Sequence, residues 1–346
     1  MFSWSYLEKI YFGTYTRNNS KGIYQAKLDT EKKEIRDLEL FIDGIVSPTY
    51  LTTTDSGTLL TIAGNDQGQG GVASYNLTTP KPVLVDQKLA DGASPCYVSY
   101  DGQRKLVYTA NYHKGLVEVY RLENDNTLTL KDSVTYEGKG PRPEQDKSHA
   151  HYADLTPDNK LITIDLGDDK VHTYDVSEEG KISEIAAFQT PEGFGPRHIV
   201  FSNDGKLAYL AGELSSEVAV LEYNNGILKL IQIVSTIPVD WTKHNGVAAI
   251  RISSDDRFVY VSNRGHNSIA VFEVEEDGIL KLIQTISTNG DFPRDFALDN
   301  SERFIVVAHQ NSTIASLFAR NETSGKLELL QTDIPVPEGV CVHFVK

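Results

Sequence analysis

One phrase returns seven times along the chain, in forms such as GPRHIVFSNDGKLAYLAGE (195–213) and VAAIRISSDDRFVYVSNRG (247–265). Residues equivalent to Pro196 stand at Pro48, Pro95, Ala150, Val247, Pro293 and Gly339, so the successive intervals are 47, 55, 46, 51, 46 and 46 residues. A period near 46 that runs from end to end describes one array of alike units, and residues 1–346 read as a single domain.

Each unit reads as four strands. In the copy at Pro196, Ile199 and Phe201 alternate with other residues, Asn203-Asp204-Gly205 breaks the run, and LAYLAGE resumes it, as in a β-hairpin. EVAVLEY (217–223) and ILKLIQIVS (227–235) follow, joined by Asn224-Asn225-Gly226, residues that suit a tight turn. No helix-period segment of useful length interrupts the pattern. Seven four-stranded antiparallel units predict an all-β fold, a seven-bladed β-propeller, in which neighbouring blades bury the sheet faces that one unit alone leaves exposed.

The chain ends fit the same scheme. EGVCVHFVK (338–346) reads as a first strand with nothing after it, and KIYFGTYTRNNSKGIYQAKL (9–28) with EIRDLELFID reads as strands two to four with nothing before them. Together they predict one blade closed by pairing of the C-terminal strand with the N-terminal strands, which leaves no open edge.

Composition narrows the partners. A formal net charge of −15 disfavours nucleic acid and anionic membranes, so an anionic ligand requires a local basic patch. No apolar stretch approaches the roughly 18 residues of a membrane span, and MFSWSYLEKIYFG makes a poor export signal, which together predict a cytoplasmic protein. Four Asn-x-Ser/Thr matches, at Asn18, Asn76, Asn311 and Asn321, then count as chance. Cys96 and Cys341 lie among apolar strand residues and read as free core thiols.

Positions just after each marker, and 16 or 17 residues on, fall at the same end of one hairpin and hence at one rim of the channel. They comprise Arg197 with Glu213, Arg264, Arg294 with His309, Asn111, and Ser148 to His151 with Asp165. Two longer loops, GKGPRPEQDKS (138–148) and IPVDWTKHNG (237–246), overhang that rim and bring Arg142, Lys147, Lys243 and His244 towards it. Each residue also has a structural reading: Arg197 with Glu213 as a cross-strand ion pair, Asp165 as an acceptor for backbone amides. His149 and His151 lack an Asp or Cys at ligand spacing, so neither a metal nor another cofactor is expected. Several arginines gathered at equivalent positions predict a small anionic ligand, because the guanidinium fork matches carboxylate or phosphate.

At YFGTYT (11–16) with KGIY (21–24), SPCYVSYDG (94–102) with ANYHKG (110–115), GPRPEQDKSHAH (140–151), GPRHIVFSNDGKLAYLAGELSS (195–216), VYVSNRGHNSIAVF (259–272) and GDFPRDFALD (290–299), the chain resembles the lactonase family of seven-bladed β-propellers. The resemblance implies a catalytic set of His149, Arg197, Glu213 and Arg264. It also implies a substrate that is an anionic lactone, with hydrolysis of 6-phospho-D-glucono-1,5-lactone to 6-phosphogluconate as the expected reaction. Glu213 or His149 is then the expected general base, Arg197 and Arg264 the oxyanion stabilisers, and Arg294 with Arg142 or Lys147 the phosphate holders, beside His151, His309 and Asn111 as further substrate-binding residues. The alternatives are a lactonase or cycloisomerase for another anionic lactone, and a non-catalytic scaffold propeller. Against the scaffold, Trp4 and Trp241 are the only tryptophans and neither precedes Asp.

Overall fold

In the computed structural model, which describes residues 6–345, the strands form seven sheets of four antiparallel strands. The first five residues, with Trp4 and the start of the segment read as a poor export signal, and Lys346 lie outside the described residues. Blade one joins Gly339–Phe344 to Leu7–Thr14, Gly22–Asp29 and Glu34–Asp43. Blades two to seven begin with the first strands Leu51–Thr53, Tyr97–Asp101, Ala150–Leu155, Pro196–Phe201, Gly246–Ile252 and Pro293–Leu298. Those first strands, with Gly339–Phe344, touch one another in a closed circle and line the central channel. Among the described residues no helix is long and apolar enough to cross a membrane.

The turn chemistry accounts for the hairpins. Ile227 pairs with Asn224, leaving Asn225 (φ 48°) and Gly226 (φ 92°) as a two-residue turn with both central residues left-handed. Between first and second strands a hydroxyl and an aspartate recur. Thr156, Ser202 and Ser253 donate to Asp158, Asp204 and Asp255 at 2.7, 2.7 and 2.6 Å, and accept the N–H of Lys160, Leu207 and Phe258 as the second strand begins.

The core lies between blades. Ile10, Phe12 and Leu28 of blade one pack with Val306 and Leu317 of blade seven and with Val342 and Phe344 of the closing strand. That strand pairs with Leu7–Thr14 from Ile10↔Phe344 to Gly13↔Cys341. It buries Val340, Cys341, Val342 and Phe344.

First strands carry a register shift at a recurring place: between Ala150 and Tyr152, Pro196 and Ile199, Val247 and Ile250, and Pro293 and Asp295. A bulge there re-aims the residue after the marker towards the channel. In this way His151, Arg197 and Arg294 leave the alternation that otherwise governs their strands.

Removing residues 339–346 deletes four buried apolar side chains worth about 1.5–3 kcal/mol each. The truncated chain is expected to be insoluble or to melt at least about 10 °C lower. An unchanged melting temperature contradicts the closed ring.

Candidate active site

Side chains from the ring of first strands and the ends of second strands enclose a cavity of about 300 Å³ at one mouth of the channel. Thr49, Cys96, His151 and Arg294, each the residue after a marker, supply its lower wall. Tyr15, Tyr112, Glu213 and Arg264, at or just beyond second-strand ends, supply the rim. Glu213 is held by its backbone: its N–H donates to Gly195 O at 2.7 Å and its carbonyl accepts the N–H of Val247 at 3.2 Å.

Glu213 bridges two arginines. Arg264 Nη2 lies 2.8 Å from Oε1, and Arg197 Nε lies 3.0 Å from Oε2. The Arg197 Nε–H is not aligned for a hydrogen bond, so that contact is ionic rather than directional. Burial pushes Glu213 up, but Arg264 and Arg197, with Arg294 behind them, outweigh it and keep the carboxylate below its ordinary value. Burial and the neighbouring Arg264 push Arg197 down to about 9 against the pull of Glu213, which leaves it cationic at neutral pH.

His151 is almost fully buried, lines the cavity, and its Nδ1 has no hydrogen-bond partner. Burial first, then Arg197, Arg294 and Arg264, hold it far below the usual histidine range, so the ring is a neutral imidazole. Arg294 donates from Nη1 to Gln310 Oε1 at 2.9 Å, and among the described residues it pairs with no carboxylate. Below the cavity, Tyr97, Tyr152 and His198 close on one another, with ring centroids 4.6 to 5.3 Å apart, and Tyr50 packs on Tyr97 at 4.4 Å with the rings tilted by 31°. This aromatic belt separates the site from the opposite mouth, where Asp154 and Arg251 line another cavity.

The remaining predicted residues are distributed differently. Arg197 sits beneath Glu213 and lines a void of about 10 Å³ with Cys96, His198 and Arg294, rather than the cavity itself. His149 does not reach the cavity: its ring stacks on Tyr112 at 4.1 Å, Nδ1 bonds to Tyr112 O at 2.9 Å, and Nε2 bonds to Asp146 at 2.9 Å. Asp165 accepts the backbone N–H of His149 and Gly167, the structural reading. Asn111 donates to Ala93 O and accepts from Lys114 N. His309 is fully buried with Nδ1 on Ile314 O. Both stand one residue short of the rim position, and on a strand one residue reverses the face.

The two long loops also diverge. Lys147 extends away to His113 O at 2.7 Å and does not line the cavity. Arg142, whose Nε donates to Gly193 O, joins Lys243, His244 and Phe292 around an annex of about 450 Å³ that shares Glu213 and Arg264 with the main cavity. Cys96 and Cys341 are both free; Cys341 is buried, but Cys96 is not a core thiol, since it lines the cavity and burial raises it to about 11, keeping it protonated. Among the described residues no three His, Cys, Asp or Glu side chains cluster as metal ligands do.

Tyr15 and Arg17 were not among the predicted residues, although both line the cavity. Tyr15 follows the second strand of blade one as Glu213 follows that of blade five. Counting from a marker fails there because the chain termini fall inside the unit.

A model of the family described as lactonase, 7-bladed β-propeller, matches residues 9–344. The 6-phosphogluconolactonase of Bacillus subtilis (strain 168) is 43% identical over 342 residues, covering 97% of this chain and 97% of that protein. A crystal structure of a Lactobacillus plantarum protein superimposes with a TM-score of 0.96 at 52% identity, covering 98% of this chain and 100% of that one. The periplasmic gluconolactonase of Pseudomonas aeruginosa follows at a TM-score of 0.91 and 32% identity, over 98% and 99% of the two chains. The blade architecture, the arginine-rich cavity at one channel mouth and the match along nearly the whole length converge: this chain belongs to the lactonase family of seven-bladed β-propellers.

Proposed function

We propose that this lactone hydrolase opens 6-phospho-D-glucono-1,5-lactone to 6-phosphogluconate. The observation that carries the reading is a cavity lined by three arginines against one glutamate, with an unpartnered imidazole nitrogen among them, in a chain whose net charge is −15. Such a cavity attracts a small anion to an otherwise acidic surface. The name of the Bacillus subtilis relative supports the phosphorylated sugar. A phosphorylated lactone arises where sugar phosphates are made, so a cytoplasmic location goes with this reading.

In the proposed reaction, water attacks the lactone carbonyl carbon, the ring C–O bond breaks, and the ring oxygen leaves as a hydroxyl after taking up a proton. His151 accepts the proton from water and returns it to the ring oxygen as the C–O bond breaks. At rest burial, reinforced by the surrounding arginines, makes it a weak base. Arrival of the substrate anion and growth of charge on the carbonyl oxygen neutralise those arginines, so the proton affinity of His151 rises as the transition state forms. Arg264 stabilises the oxyanion, Arg294 holds the phosphoryl group, and Glu213 with Arg197 beneath it fixes the guanidinium of Arg264. This scheme moves the base from His149 to His151, because the His149 ring is already bonded at both nitrogens.

His151→Ala is expected to lower kcat by about 10²-fold or more, the usual contribution of a general base, and His149→Ala by far less. Steady-state rates corrected for spontaneous ring opening check this; equal losses in both variants contradict the assignment. The pH profile gives a second check. A histidine depressed in the free enzyme stays unprotonated well below the usual histidine range, so kcat/KM on plain gluconolactone, which carries no titrating phosphate, is expected to show no acid limb in that range. An acid limb of that profile near about 6.5, the ordinary histidine value, contradicts the neutral, buried His151 as the base.

The Pseudomonas aeruginosa relative is named for a plain gluconolactone, which favours one competing reading. Turnover of 6-phosphogluconolactone, gluconolactone and a muconolactone in one panel decides between them. The phosphorylated substrate is expected to lead by at least about tenfold in kcat/KM, the worth of one charge-assisted hydrogen bond. Equal rates on the two sugar lactones contradict the phosphate-holding role of Arg294.

A further inference from the structure

The loop after the second strand of blade one is tied down by a single carboxylate from the other end of the chain. Glu338, in the turn that leads into the closing strand, accepts backbone N–H groups from Arg17, Asn18, Asn19 and Ser20 at 3.2, 3.0, 2.9 and 3.1 Å, and the Asn18 side-chain amide at 3.1 Å. Its own carbonyl accepts the N–H of Tyr15 at 3.1 Å. Four successive N–H groups converging on one anion form a nest, a geometry otherwise used for phosphate and other small anions. Here the protein fills it with its own side chain, and the residue is only 6% exposed.

What this clasp presents to the cavity is Arg17. Its guanidinium lies over the Tyr15 ring, 3.8 Å from the centroid, and Arg294 lies 5.5 Å from the same centroid. Among the described residues neither arginine pairs with a carboxylate, whereas Arg197 and Arg264 share Glu213. The two guanidinia without a counter-ion, Arg17 and Arg294, thus lie against the same Tyr15 ring, while Arg264, paired with Glu213, lines the same cavity.

Resting on the proposed lactonase reading, we propose that Arg17 and Arg294 together grip the phosphoryl group of the substrate. Glu338 is the positioning residue that holds Arg17 in place. Arg17 then determines specificity for a phosphorylated over a plain sugar lactone. Glu338 touches no substrate and acts only through the loop.

The experiment compares kcat/KM on 6-phosphogluconolactone and on gluconolactone for the wild type, Arg17→Ala, Glu338→Gln and the double variant. Arg17→Ala is expected to lower the ratio of the two values about tenfold, mainly through KM on the phosphorylated substrate. Glu338→Gln keeps the shape but turns an amide donor towards the N–H nest, and is expected to lower the same ratio. In the double variant it adds less than about twofold to the effect of Arg17→Ala, since two residues acting through one contact are not additive. A merely structural Glu338 lowers the melting temperature and slows both substrates alike, leaving the ratio unmoved. That outcome, an unmoved ratio in Arg17→Ala, or effects that multiply in the double variant overturns the proposal.

Because Arg17 is exposed, Arg17→Ala and Arg17→Lys keep the test open where Glu338→Gln fails to fold. Calorimetric titration with inorganic phosphate separates this proposal from the function it rests on. Where the wild type shows no preference for the phosphorylated lactone, weaker phosphate binding in Arg17→Ala and Glu338→Gln still supports the anion grip, and unchanged binding overturns it.

Discussion

Pairing of Gly339–Phe344 with Leu7–Thr14 is the constraint on which the remainder of the molecule depends. Seven first strands line the channel only when the seventh neighbour is present, and that neighbour comes from the end of the chain. The same joint carries the seam between Phe12, Phe344 and Val306, and, one residue before the closing strand, the Glu338 carboxylate that binds the loop of Tyr15 and Arg17. Ring closure and the shape of the cavity are thus two consequences of one strand pairing. A blade inserted elsewhere in the ring has its four strands from one stretch of chain and needs no such clasp.

Around the channel, the candidate site is built on a repeated backbone irregularity. A bulge after the marker residue turns His151, Arg197 and Arg294 away from strict alternation and towards the axis. Gathering arginines there is costly, since each buried guanidinium loses its hydration. Glu213 offsets part of that cost for Arg197 and Arg264, and it is held ionised by the pair it serves. The unpaired remainder is what the proposed anionic substrate would neutralise. In the proposed mechanism, His151 is a weak base until the anion arrives, so the electrostatic excess that draws substrate also couples its binding to proton transfer.

Much of the architecture was legible because turn residues and alternating apolar positions recur with the period itself. The rim was legible only in part. At six of the seven markers the next residue lines the cavity or the small void beneath it: Thr49, Cys96, His151, Arg197, Arg294 and Val340. Seventeen residues on, Tyr112, Glu213 and Arg264 face the cavity, whereas Asn111 and His309, sixteen residues on, face away; treating the two offsets as equivalent ignored the strand's alternation. His149 came from likeness to a relative's catalytic set, while the repeat's own count points to His151. Lys147 was placed by loop length alone, and length does not say which way a side chain on the loop turns. Tyr15, Arg17 and Glu338 were hidden because the unit they belong to is cut by the chain ends, so no internal copy marks their positions.

A crystal structure with bound 6-phosphogluconate shows whether one arginine-rich cavity both binds the anion and performs the chemistry. Phosphate oxygens are expected between Arg17 and Arg294, and the product carboxylate against Arg264 within hydrogen-bonding distance of His151 Nδ1. Product bound at the opposite mouth beside Asp154 and Arg251, or with its phosphate in the annex against Arg142 and Lys243, contradicts this placement.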